Sequence, residues 1–188
     1  LLSKCSDKLS ILAAPATVER CYDLQETTFD ATIDLLRAST PYVVLDVPHV
    51  WTAWSKRMLV SADEVLVVST PELASLRNAK TILDSLRNAR KNDAAPRLVL
   101  NGIGMQKRPE ISIADFSRGV DLEPCVTIPF DPALFGAAAN NGQMIAEADG
   151  GAKIAAIYHD LARIATGRVL VQKESKGFLE PLLKIFRD

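Results

Sequence analysis

Apolar residues along this chain follow two spacings, and each switch between them marks the end of one element and the start of another. The chain is read around Tyr42-Val43-Val44-Leu45-Asp46-Val47-Pro48-His49-Val50-Trp51. Its apolar run is short and unbroken, opened by Pro41 and closed by a carboxylate and a proline. It predicts a buried parallel strand that delivers Asp46 to the sheet's carboxyl edge, where ligands bind in open α/β sheets. Glu64–Ser69, Arg97–Asn101 and Cys125–Ile128 predict three further strands, and Leu9–Ala14, stopped by Pro15, another short one.

Helical spacing fills most of the intervals. Phe29, Ile33 and Leu36 recur at i, i+4 and i+7, predicting a helix over about 27–38 that ends at Pro41. Val50, Trp54 and Met58 mark a second helix ending near Ser61. This spacing assigns Trp54 to a core rather than to a docking surface. Thr70 as cap, Pro71 at the first helical position and Glu72 in the first turn start a long helix that runs to Arg90, with Arg87, Arg90 and Lys91 at its carboxyl end. Ser112 with Asp115 reads as a capping box for a short helix. Residues 133–148 are alanine-rich and broken at Asn140-Asn141-Gly142, and Lys153–Ala165 forms the last helix. Strands alternating with helices in this order imply an α/β fold with a mostly parallel sheet and helices on both faces.

Composition narrows the class. A chain of 188 residues with 48% apolar and 24% charged residues suits one soluble domain, and it holds no apolar run long enough to span a bilayer. A formal charge of −1 lacks the footprint that a phosphate backbone needs, so no nucleic-acid partner is expected. Cys5, Cys21 and Cys125 are scattered and read as small apolar residues of a reducing cytoplasm. His49 and His159 have no metal-ligand spacing. The chain begins at Leu1, which reads as the start of a fragment.

An acid at a strand end in an α/β domain directs attention to nucleotide phosphates. No Gly-Lys pair followed by Ser or Thr occurs, so the usual phosphate loop is absent from these 188 residues. Gly102-Ile103-Gly104 opens a dinucleotide-like pattern, but Lys107 stands where its third glycine would be.

Taken in order, Asp46-Val47-Pro48, Leu66–Pro71, Leu98–Asn101, Ile128-Pro129-Phe130-Asp131 and Ala139–Gly142 resemble the later part of the MinD/ParA family of ATPases, over nearly the whole span from Leu9 to Ala165. The strings Val44–Trp54 and Lys107–Ile111 are similar to the CpaE/TadZ branch, which helps place and assemble Flp-type pili. The resemblance implies a P-loop NTPase-like domain over 1–170 whose phosphate-loop strand is missing, followed by an amphipathic tail over 171–188. It implies ATP and Mg²⁺ as cofactors of the full-length protein, with Asp46 as the catalytic switch aspartate that reaches Mg²⁺ through water. Asn101 would read the adenine edge with its amide, and Pro129, Phe130 and Asp131 would wrap the base. Each has a purely structural alternative: Asp46 capping a helix, Asn101 capping a turn, the prolines stiffening a loop.

The resemblance further implies a homodimer, pilus-machinery partners, and a place in the cytoplasm, at the inner membrane or the cell pole. Val50 stands where relatives carry a glycine, which weakens nucleotide sensing by that loop. The phosphate loop would lie upstream of Leu1, so this chain alone is expected not to hydrolyse ATP. The family's phosphate-loop strand lies between the strands ending at Asp46 and Ser69, so a gap between them, or their direct pairing, is expected. The tail over 173–188 places Phe178, Leu182, Ile185 and Phe186 on one helical face beside four basic residues. It suits anionic lipid, or packing on its own domain or a partner. Two rivals stay open: a ParA-like enzyme moving DNA or other cargo, and a scaffold on a decayed ATPase fold.

Overall fold

The structure is a computed structural model and describes residues 2–13 and 26–167. These fall into two compact units that divide between Val47 and Pro48. The amphipathic tail lies outside the described residues, as do residues 14–25 between the first short strand and the first helix.

In the first unit, β1 (Ser3–Lys4) and β2 (Ser10–Ile11) pair antiparallel as a small hairpin, closed by the Cys5 and Ser6 amides donating to the Leu9 carbonyl. The helix α1 (Glu26–Ser39) follows, one residue longer at each end than its apolar spacing predicts. Its predicted core face is only partly covered, and no described residue of this unit is buried.

The organising strand does not form. Residues 42–47 run without regular secondary structure, join no ladder, and carry Val44 at 94% exposure. A strand is stabilised by the ladder and side-chain pairs of its neighbours, and no described strand forms a ladder with this stretch. Of the two arrangements expected, a gap or direct pairing, the second is not formed: among the described strands Leu66–Ser69 pairs only with Arg97–Leu100.

The second unit contains the core. It opens with α2 (Ala53–Ser61), fixed at its start by a reciprocal box in which Thr52 accepts from the Ser55 amide and Ser55 Oγ accepts from the Thr52 amide. The strands β3 (Leu66–Ser69), β4 (Arg97–Ile103) and β5 (Pro124–Pro129) form a parallel sheet in the order β3-β4-β5. Between them run α3 (Leu73–Ala89) and α4 (Ile113–Val120). After β5 come α5 (Pro132–Asn140), α6 (Ile145–Ala148) and α7 (Lys153–Ala165).

Because neighbouring strand residues face opposite sides, β4 feeds two cores. Leu98 and Leu100 pack with Leu83 and Leu86 of α3 and Phe116 and Val120 of α4. Val99 packs on the other face with Ile128 and Ile154, bordered by α5, α6 and α7. Helices thus cover both faces of this sheet, as the alternating pattern implies. The cover is incomplete over β3, where Val67 and Ser69 are buried but Val68 is 60% exposed.

The start of α3 departs from the sequence expectation. Pro71 is fully buried and precedes the helix, and its carbonyl accepts from the Ile111 amide at 2.8 Å. Thr70 Oγ1 bonds Ser75 Oγ at 2.8 Å instead of capping the backbone, and Glu72 becomes the N-cap. A tight turn, with the Glu72 amide donating to the Thr70 carbonyl, moves the first helical residue to Leu73.

At its other end α3 serves its neighbours. Arg87 Nη2 donates to the Val120 and Asp121 carbonyls at the end of α4. Arg90, only 4% exposed, donates from Nη1 to the carbonyls of Leu59, Val60 and Ala62 and from Nη2 to that of Asp63. These carbonyls lie at the carboxyl end of α2, where helical partners run out and positive charge is favoured.

Two outcomes follow from this packing. Arg90→Ala is expected to destabilise the protein by on the order of 3 kcal/mol, read as a lower urea midpoint, with Arg90→Lys recovering only part because one ammonium cannot fork to four carbonyls. Val68→Lys, on the uncovered face of the edge strand β3, is expected to reduce concentration-dependent light scattering without lowering the melting temperature.

Candidate functional site

The carboxyl ends of β4 and β5 meet at one rim, and their ladder sets its geometry. Asn101 is in register with Ile128 and Ile103 with Pro129, and the Phe130 amide continues the contact by donating to the Ile103 carbonyl at 2.8 Å. Four of the five predicted site residues, Asn101, Pro129, Phe130 and Asp131, are therefore brought together.

Asn101 is half-buried and lies inside β4, which excludes the turn-capping role. Its side-chain amide has no hydrogen-bond partner among the described residues, leaving a donor pair and an acceptor at the rim. Pro129 and Phe130 are exposed beside it. Asp131 also has a structural role, because its Oδ1 accepts from the Leu134 amide at 2.9 Å and caps α5, with Pro132 at the first helical position.

Asp46 belongs to the first unit. It is exposed, ends no strand, and is followed at once by the boundary between units. The premise that a strand presents it at a sheet edge fails, for want of a paired neighbour. Among the described residues no cluster of three or more His, Cys, Asp or Glu could hold a metal ion.

The loop after β4 holds residues that the apolar pattern does not reveal. The amides of Gly104 and Met105 donate to the Glu110 carboxylate at 3.0–3.1 Å. These bonds, the Gly104 amide first, hold the Glu110 carboxyl below the usual carboxylate range, aided by the Arg108 charge. Arg108 Nη1 pairs with Glu72 at 2.8 Å, and Nη2 donates to the Gly102 carbonyl at 3.2 Å. Gly102 and Gly104 have φ of +70° and +82°, a region glycine adopts without strain, and Lys107 also takes a positive φ of 62°. The two glycines were the available sequence signal, although they form a turn here and not a dinucleotide loop.

Cys125 lies near the amino end of β5, away from the rim, where it packs on the Val99, Ile128 and Ile154 cluster and burial pushes its thiol up.

The Asn101 amide, without a side-chain partner among the described residues, offers at the rim the paired donor and acceptor that a purine edge would take. A triphosphate with Mg²⁺ finds no comparable provision in this chain, which has no Gly-Lys-Ser/Thr loop and only the single carboxylate of Asp46 expected at the ion.

No protein-family model matches the chain. It is similar to septum site-determining protein MinD from Bacillus subtilis, with 25% identity over 80% of this chain and 58% of the relative. MinD from Helicobacter pylori is 28% identical, over 99% and 72%. Among solved structures, a ParA family ATPase from Chlorobium tepidum aligns with a TM-score of 0.74 at 20% identity, covering 86% of this chain and 66% of that one. MinD in the MinC:MinD complex of Aquifex aeolicus aligns at 0.64 with 22% identity, covering 78% and 61%. The chain thus spans a little over half the length of some curated relatives. The chain shares the fold of MinD/ParA-type proteins and is similar in sequence to MinD proteins.

Proposed function

We propose that this chain carries the adenine side of the nucleotide site of a MinD/ParA-type localisation ATPase. The observation that carries the reading is the Asn101 amide, without a partner among the described residues, at the shared end of β4 and β5, flanked by Pro129 and Phe130. In this reading the amide hydrogen-bonds the adenine edge, and the ring of Phe130 and the stiff Pro129 backbone limit where the base can lie. Asp131 holds the segment in shape by capping α5. No Mg²⁺-holding role is assigned to Asp46 in this reading, because residues 42–47 form no strand that would present it. Hydrolysis by this chain alone is not proposed. The full-length protein would act in the cytoplasm as a homodimer whose nucleotide state governs its position and partners.

A narrower reading, assembly of Flp-type pili at the inner membrane or cell pole, is favoured by two strings, Val44–Trp54 and Lys107–Ile111. The relatives with stated roles are septum site-determining proteins, which favours a role in positioning more broadly. Deleting the gene separates the two: loss of surface pili with normal septum placement supports the pilus role, and displaced septa with pili retained oppose it.

Adenosine probes the base site without needing a phosphate loop. Titration into the labelled chain is expected to shift the Asn101 side-chain and Phe130 amide resonances, with guanosine weaker. Asn101→Ala should weaken adenosine at least about tenfold, the scale of two lost hydrogen bonds. Equal adenosine binding by Asn101→Ala would overturn the assignment.

A further inference from the structure

The loop that follows Asn101 is tied down more thoroughly than an exposed turn requires. The β4–β5 register shifts between Asn101 and Ile103, so Gly102 sits at an irregularity and has no cross-strand partner of its own. Its carbonyl is taken instead by Arg108 Nη2 at 3.2 Å. Nη1 of the same guanidinium pairs with Glu72 at the start of α3, at 2.8 Å. Beyond the bulge, the next two amides, those of Gly104 and Met105, are both held by Glu110. Arg108 Nη2 also lies 3.5 Å from that carboxylate, and the Ile111 amide closes the loop onto the Pro71 carbonyl. All three side chains are largely or partly covered, Arg108 and Glu110 at 21% exposure.

A strand leaving its ladder frays unless something else holds its backbone, because unpaired carbonyls and amides turn to water. Here one carboxylate, that of Glu110, and one guanidinium, that of Arg108, take the backbone groups left without ladder partners directly after the residue assigned to the base, and Glu72 anchors the guanidinium. The planar fork of arginine lets one side chain join α3 to the bulge, which a lysine could not do with the same geometry.

We propose that Glu72, Arg108 and Glu110 form a latch that fixes the end of β4 and so presets the Asn101 amide for a purine, making them positioning residues of the base site. The positioning role rests on the purine reading above; the latch itself does not. Glycine at 102 is part of the device through its backbone, which takes φ +70°, a conformation that strains any other residue.

The test uses Glu110→Gln and Arg108→Gln in the full chain, with Gln106→Ala as a control in the same loop. Two readouts are taken: amide exchange at Gly104 and Met105, and the ratio of adenosine to guanosine affinity. Both latch variants are expected to speed exchange at least about tenfold, a change that loss of one charge-assisted bond produces, and to cut the base preference at least about fivefold, while the control changes neither. Unchanged exchange in both variants overturns the latch. Faster exchange with an unchanged base preference overturns the positioning role. A wild-type chain that does not distinguish the two nucleosides overturns the purine reading and the positioning role together, while exchange still decides the latch. Should Arg108→Gln fail to fold, Glu110→Gln, confined to the loop, decides both questions.

Discussion

The parallel pairing of β4 on both of its edges is the constraint from which the second unit is built. Leu98, Val99 and Leu100 are all buried, and each is worth roughly 2 kcal/mol when withdrawn from water. Two of them face α3 and α4 and the third faces α5, α6 and α7, so one seven-residue strand organises two cores. The same ladder carries Asn101 to the end of the sheet and sets it opposite the last residues of β5. Site geometry here is a consequence of core packing.

The second level of organisation is electrostatic and backbone-directed. Arg87 and Arg90 leave the end of α3 and fill carbonyls at the ends of α4 and α2, while Glu72 leaves its start and meets Arg108 beyond β4. Each guanidinium answers main-chain groups that helices and strands leave unsatisfied at their ends. In this way one helix ties together two neighbouring helices and the rim loop. The hydrophobic pattern alone gives none of these ties.

That division explains how much could be read before the fold was known. The strands expected at Glu64–Ser69, Arg97–Asn101 and Cys125–Ile128 form within two residues of those bounds, and α7 to the residue, because burial and periodicity share a cause. The α/β architecture followed from strand order, whereas the grouping of Asn101 with Pro129, Phe130 and Asp131 was implied by the family resemblance, which also included Asp46, a residue that ends no strand. Tyr42–Asp46 has the same apolar signature and forms no strand, since a pattern records what a segment could bury and not whether a neighbour is present. Thr70 and Pro71 look like a helix start, but a tight turn and the burial of Pro71 shift the start to Leu73. The Glu72–Arg108–Glu110 network was invisible, because long-range charge pairs leave no periodic trace.

The proposed base site rests on the Asn101 amide, which has no side-chain partner among the described residues, and on similarity to MinD proteins. The central claim is that the base of an adenine nucleotide lies against the shared ends of β4 and β5. Photolabelling with an azido-adenosine, followed by peptide mapping, tests it most directly. The account predicts adenosine-protectable label within residues 101–111 and 129–135. Protectable label confined to other segments, such as α1 or the exposed face of α3, would contradict it.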